Sequence, residues 1–311
     1  MPAISASAPG KIILFGEHAV VYGQPALAVP VKEVQVKVII RAEPGSQGIN
    51  ILAPEIALKS ELAALPLEDA LGKAIRLTLD AIGVGTPPAC TMLISSTIPL
   101  AGGMGSGAAV SVAIIRALSG FLGRALPDET VNELAYEVEK LHHGTPSGID
   151  NTVVTYAKPV YFIRGKPVKI LQVRRTFTLV IGDSGIVSPT SRTVADVRKA
   201  YDADTELYEN YFNVCGIIAR KAEFSIQDGR IPSLGPMMDD NHEILSKMGV
   251  SCPELDRLVV AAREAGAMGA KLSGGGRGGN MIALVEQQDA QTVADALQGA
   301  GAVRTIITQV V

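Results

Sequence analysis

Five of the ten residues from Lys271 to Asn280, in the stretch KLSGGGRGGN, are glycine. Apolar runs lie on either side, so the segment reads as strand, glycine turn, strand. A plain hairpin needs only one or two glycines. This density marks backbone that must come close to a ligand or to another stretch of chain. The fold has to be organised around that approach.

A second glycine turn, LAGGMGSGAA (100–109), runs into an apolar, Ala-rich helix. A tight turn at a helix N-terminus presents unpaired backbone N–H groups and the positive end of the helix dipole, which suits a phosphate. The plainer account is a loop with Ser106 as N-cap. Gly103, Gly105 and Ala108 also satisfy G-x-G-x-x-G/A. That dinucleotide fingerprint requires a following strand ending in an acid about 20 residues on. Here RALPDETVNELAYEVEKL supplies a turn and a second helix, with Asp128 at its start. No G-K-[ST] occurs anywhere, so the Walker phosphate loop is excluded as well.

Two further stretches set polar groups where apolar ones are expected. In GKIILFGEHAVVYG (10–23), Gly16, Glu17 and His18 sit between the runs IILF and AVV, and Lys11 precedes the first run. A tight turn between strands, or a site, accounts for that pattern. In EKLHHGTPSGIDNTV (139–153), Glu139 lies in the closing turns of a helix, ahead of His142 and His143. Ser147-Gly148-Ile149-Asp150 then has the form of a capping box opening a short helix.

The rest of the chain bounds the answer. Its 311 residues set a prior of two domains, and 47% hydrophobic content with no Trp calls for a large aliphatic core. A net charge of -3 gives no electrostatic reason to expect nucleic acid or an anionic membrane as partner. The three cysteines are scattered and lack C-x-x-C spacing, which fits free thiols in a cytoplasmic protein. No apolar run is long enough to span a bilayer. Periodicity gives a strand at 35–41, a helix at 67–82, a strand at 91–98 and a helix near 127–142. Strands follow near 159–163 and 176–183, then helices at 190–228, 232–248 and 253–265. A helix near 287–298 and a last strand at 302–310 close the chain. The texture changes near 175–185, which places domains at 1–178 and 179–311.

Taken together, PGKIILFGEHAVVYG, IPLAGGMGSGAA, HGTPSGIDN and AKLSGGGRGGNM resemble, in order, the motifs of the GHMP kinase superfamily. GEHAVVYG, IGDSGIVSPT (181–190) and DDNHEILSKMGVS (239–251) are similar to its mevalonate-phosphorylating branch. The resemblance implies an α+β fold of two domains. The N-terminal one is ribosomal protein S5 domain 2-like, the C-terminal one ferredoxin-like, and the active site lies between them. It implies transfer of the γ-phosphate of ATP to the C5 hydroxyl of (R)-mevalonate with Mg²⁺. Relatives acting on phosphomevalonate, phosphorylating mevalonate at C3 or decarboxylating with ATP stay open as alternatives, as does a binding protein without turnover.

Carried over position by position, the resemblance makes Asp150 the base beside the C5 hydroxyl and Lys11 its partner, reaching toward the transferred phosphate. Gly102, Gly103, Met104, Gly105, Ser106 and Gly107 wrap the ATP phosphates, and Gly274, Gly275 and Gly276 lie near them. Glu139 and Ser106 hold Mg²⁺, while Glu17 and His18 join Asp150 in the mevalonate pocket. A homodimer is common in the family. Two departures stand out: Gly107 replaces the usual second serine, and Arg277 occupies a position where glycine is common. Arg277 either contacts phosphate or points to solvent.

Overall fold

A computed structural model describes residues 3–99, 102–143 and 146–311. Leu100, Ala101, Gly144 and Thr145, which belong to two of the motifs, and the side chains of His142 and His143 lie outside the described residues.

The elements run β1 (Ala3–Phe15), β2 (Ala26–Ala42), β3 (Ile49–Ala53), β4 (Leu58–Glu61), α1 (Ala70–Ile82), β5 (Cys90–Ser96), α2 (Ser106–Phe121), α3 (Asp128–His143), α4 (Ile149–Tyr156), β6 (Val160–Phe162) and β7 (Lys169–Ile170). They continue as β8 (Phe177–Asp183), α5 (Thr190–Ala203), α6 (Thr205–Asp228), α7 (Leu234–Lys247), α8 (Pro253–Glu264), β9 (Gly269–Ser273), β10 (Asn280–Val285), α9 (Ala290–Gly299) and β11 (Arg304–Val310). The chain groups into two compact units, and neither is one contiguous segment. The first takes residues up to Gly10, then 34–99 and 105–157; the second takes 11–33, a short stretch ending at Met104, and 158–311. The position 178/179, where sequence texture changes, falls inside the second unit.

In the first unit, β5 lies between the last part of β2, antiparallel, and β3, parallel. α1 starts where the Asp69 side chain accepts from the Gly72 amide at 2.7 Å, and it buries Ile75, Leu79 and Ile82. α2 is apolar on nearly every side and buries ten of its sixteen residues, so it must be covered all round. It packs against α1, α3 and α4. Arg116 fastens this bundle: it pairs with Asp128 at the start of α3 and donates to the Thr155 carbonyl in α4, both at 2.6 Å.

In the second unit, β8, β9, β10 and β11 form an antiparallel sheet in the order β11-β8-β10-β9. A strand, a helical crossover, a hairpin, a helix and a last strand in that order make a ferredoxin-like sheet. α5 to α8 fill the first crossover. The expected helix over 190–228 is two helices, because the Asp204 side chain accepts from the Leu207 amide at 3.1 Å and opens α6 afresh. The core of this unit joins Phe212 and Cys215 of α6 to Leu258 of α8, Leu272 of β9, Ala283 of β10 and Leu297 of α9.

Several local expectations are corrected. The run AVV is not strand: Ala19–Tyr22 is a single 3-10 turn, with Ala19 in the core and the Tyr22 ring stacked on Phe212 at 4.1 Å. Ser106 is the first residue of α2, and Gly105, at φ 71°, takes the N-cap place with no side-chain hydrogen bond. The capping box at Ser147 is not formed either. Gly148 is the N-cap of α4, and the Ser147 hydroxyl accepts only a long bond from the Ile149 amide, at 3.4 Å.

Candidate active site

β1 ends at Phe15, and the chain must reverse at once into the turn at Ala19. Gly16 allows this with φ 94°, where an added Cβ would lie 2.5 Å from the Pro25 carbonyl oxygen. His18 follows in the left-handed region, φ 59°, an unusual place for a histidine. Both departures turn Glu17 and His18 inward, and only 3% and 6% of their surfaces reach solvent.

Each finds its partner more than 250 residues away, at the second glycine loop. Glu17 Oε1 accepts from the Lys271 ammonium, and both side chains are wholly buried. Lys271 also donates to the Leu272 carbonyl at 2.7 Å. Burial raises the Glu17 pKa and lowers that of Lys271, and the charge of each partner opposes both shifts. Glu17 Oε2 is buried without a hydrogen-bond partner. His18 Nε2 lies 3.0 Å from the Gly275 carbonyl oxygen. A carbonyl only accepts, so Nε2 carries the proton and Nδ1 keeps its lone pair. Burial pushes the His18 pKa down to about 4, so the ring is neutral at pH 7.

The same region gathers the first glycine turn. The Lys11 amide donates to the Met104 carbonyl at 3.0 Å. The Asn280 side chain donates to the Gly102 carbonyl, leaving its own Oδ1 buried and unpartnered. A Cβ on Gly274 would stand 3.8 Å from the Gly103 oxygen, so the two glycine loops run alongside each other. Ser273 ties β1 to β9: its hydroxyl donates to the Ile13 carbonyl at 2.9 Å and accepts from the Ile13 amide at 3.0 Å. Lys11, Glu17, His18, the turn at 102–104 and the loop at 274–276 are thereby brought together.

Ser106, Glu139 and Asp150 lie in the first unit, on helices α2, α3 and α4, which pack on one another. Glu139 is 4% exposed, and Asp150 sits half-buried in the first turn of α4. Ser106 and Gly107 open α2 with their backbone free of side-chain capping. No group of three or more His, Cys, Asp or Glu side chains suited to a metal occurs among the described residues.

Arg277 is partly exposed and is held by its surroundings. Its amide donates to the Val250 carbonyl at 2.8 Å, its Nε to Gly249 at 3.0 Å, and its Nη1 pairs with Asp196 at 2.5 Å. Lys271, Ser273 and Asn280 were missed by sequence reasoning. A lysine between Ala270 and Leu272, within a strand of apolar neighbours, was the available signal.

Known proteins are similar to this chain along nearly its whole length. The family model for the GHMP kinases N terminal domain matches residues 69–158, and that for the GHMP kinases C terminal domain matches 222–303. Mevalonate kinase from Pyrococcus horikoshii is 36% identical, over 97% of this chain and 94% of its own. The chain belongs to the GHMP kinase family. As a member it is an ATP-dependent kinase with the family's α+β fold. Mevalonate kinase from Saccharolobus solfataricus is 30% identical, over 90% of each chain. The crystal structure of L. major mevalonate kinase in complex with R-mevalonate superimposes with a TM-score of 0.86 at 30% identity, covering 98% of this chain and 95% of that one. Phosphomevalonate kinase from Streptococcus pneumoniae shares the fold, with a TM-score of 0.83 at 16% identity over 98% of this chain and 100% of that one. Fold alone therefore does not choose the substrate. No helix among the described residues is long and apolar enough to cross a membrane.

Proposed function

We propose that this protein transfers the γ-phosphate of ATP to the C5 hydroxyl of (R)-mevalonate, giving 5-phosphomevalonate and ADP. The observation that carries this reading is the inward turn of Glu17 and neutral His18 against the second glycine loop. Buried polar groups without a partner cost about 1–3 kcal/mol each. The lone pair on His18 Nδ1 and the orphaned Glu17 Oε2 are acceptors for the hydroxyl groups of a small hydroxy acid.

Phosphoryl transfer asks a protein mainly for positioning and for charge neutralisation around the phosphate oxygens. Gly102 to Gly107 wrap the ATP phosphates, the start of α2 offering its uncapped amides, and Gly274 to Gly276 lie near the phosphates. Asp150 receives the proton of the C5 hydroxyl, and Lys11 pairs with it and reaches toward the transferred phosphate. Mg²⁺ would be held by Glu139 and Ser106. One buried carboxylate and one hydroxyl suit a hard cation that keeps water and phosphate oxygens as its remaining ligands. When bound, the ion neutralises phosphate charge. Ser106 provides the hydroxyl in place of the serine that Gly107 lacks.

A phosphorylated acceptor is the second reading, because phosphomevalonate kinases share the fold. It needs additional positive charge in the pocket. The cation beside Glu17, Lys271, is already neutralised by that carboxylate. The test is a coupled ADP assay with mevalonate and with phosphomevalonate, the phosphorylated position being read by phosphorus NMR and any CO₂ collected. Turnover of phosphomevalonate alone, phosphate on C3, or CO₂ release would each displace the proposal. Asp150→Ala is expected to lose about 10²–10⁴ in kcat while still binding ATP; near-normal turnover would remove Asp150 from the role of base.

A further inference from the structure

The stretch DDNHEILSK in α7 has so far had no part in the mechanism. β9 is the last strand of its sheet, so the outer N–H and C=O groups of Ala270 and Leu272 have no strand beside them. Side chains take them up instead. Asp239 accepts from the Ala270 amide at 3.0 Å, and Arg263, itself paired with Asp239, donates to the Ala270 carbonyl at 2.9 Å. His242 Nδ1 accepts from the Leu272 amide at 3.3 Å, and Lys271 donates to the Leu272 carbonyl at 2.7 Å. Both outer peptide groups are clamped in the same way, with an acceptor from α7 and a cation on the other side.

The spacing explains how one helix can do this. Gly235, Asp239 and His242 stand at i, i+4 and i+7, on one face of α7. Gly235 packs so closely on Gly269 that a Cβ on Gly269 would lie 2.1 Å from the Gly235 oxygen. One helical turn advances about 5.4 Å and two strand residues about 6.6 Å, so the successive turns of α7 that carry Asp239 and His242 fall opposite Ala270 and Leu272. His242 is held from behind as well: Nε2 donates to Asp256 Oδ1 at 3.2 Å, and Asp256 accepts from the Ser251 hydroxyl at 2.5 Å.

We propose that His242 is a positioning residue for phosphotransfer: by clamping the Leu272 peptide it fixes the Lys271 ammonium on Glu17, and with it the walls of the acid-substrate pocket. This rests on the assignment of Glu17 to that pocket. Asparagine at 242 places its amide oxygen near the site of Nδ1 and can still accept from Leu272. Glutamine places its amide near Nε2 and cannot.

The test compares wild type, His242→Gln, His242→Asn and Asp256→Ala in the full chain. Amide exchange at Leu272 is followed by NMR, and KM is measured for mevalonate and for ATP. His242→Gln is expected to speed Leu272 exchange at least tenfold and to raise the KM for mevalonate about tenfold, with the KM for ATP within twofold. His242→Asn restores both. Asp256→Ala, at a half-exposed carboxylate, gives the same pattern more weakly and serves if His242→Gln does not fold. Unchanged Leu272 exchange in His242→Gln overturns the clamp. Faster exchange with an unchanged KM for mevalonate, or equal rises in both KM values, overturns its link to the pocket. A wild-type enzyme that ignores mevalonate sinks the proposed function, and this inference with it, before any variant is compared.

Discussion

The two glycine loops look alike in sequence and differ in what their glycines do. At Gly103, in the first, a Cβ would meet nothing within 4 Å among the described residues. The glycine there keeps space open, and Gly105 leaves the amides of α2 uncapped. In the second loop a Cβ on Gly276 would lie 2.0 Å from the Val250 oxygen, and one on Gly278 would lie 2.5 Å from the Ile186 oxygen. There glycine exists because other backbone already fills the space. Glycine density in a sequence therefore signals room in one place and contact in another, and only the three-dimensional neighbours separate the two.

Substitution should break the pair apart. Gly276→Ala carries a left-handed backbone cost of about 1–2 kcal/mol plus a backbone collision, so a loss of about 3 kcal/mol or more is expected by chemical denaturation. Stability close to wild type would show that the loop relaxes freely.

The second loop should also mark the acid-sensitive part of the molecule. His18 bonds to it, His242 lies behind the strand leading into it, and burial lowers both rings to about 4. The unfolded chain takes up a proton on each ring near pH 6.5, the folded chain only near 4. Stability should fall as pH is lowered through that window, by at most about 3 kcal/mol per ring, and be fully present above it. Denaturation midpoints at pH 7, 5.5 and 4.5 test this, and the pH-dependent part should shrink in His242→Asn.

Gly103→Ala meets no collision among the described residues and pays only the backbone term, about 1–2 kcal/mol. Its larger effect should be on ligand: a tenfold rise in the KM for ATP, about 1.4 kcal/mol, from a methyl group placed in the open turn. Equal losses of stability in Gly103→Ala and Gly276→Ala would erase the distinction. Arg277→Gly should do least. It exchanges a half-exposed ion pair with Asp196 and a bond to the Gly249 carbonyl for a residue at ease at φ 57°, and only a small fall in midpoint is expected.

How much of this was legible depended on range. α1 follows from its apolar spacing, whereas the break between α5 and α6 rests on Asp204, a capping residue that apolar spacing does not reveal. β4, LKSE, has no apolar alternation to find, because both of its faces are partly wet. AVVY looked like strand, since β-branched residues fit either a sheet or a buried turn. Its packing on Phe212 decided for the turn. At the site, the glycine turns and the Glu-His pair were visible, because such residues are costly inside an apolar run. Lys271 was not, since nothing near it in sequence announces the carboxylate 254 positions away that makes its burial tolerable. Ser273 and His242 were hidden for the same reason: each replaces a missing backbone partner, and strand edges cannot be identified before the sheet is known.

The interleaved course of the chain limits how such a molecule can be divided. β1 and β2 each pass from one compact unit into the other, and the second unit draws on stretches from both sides of the first glycine turn. No single cut in the gene would yield two fragments that each encode a whole unit. Exchange of halves between related genes should therefore fail more often here than in proteins whose domains follow one another like beads.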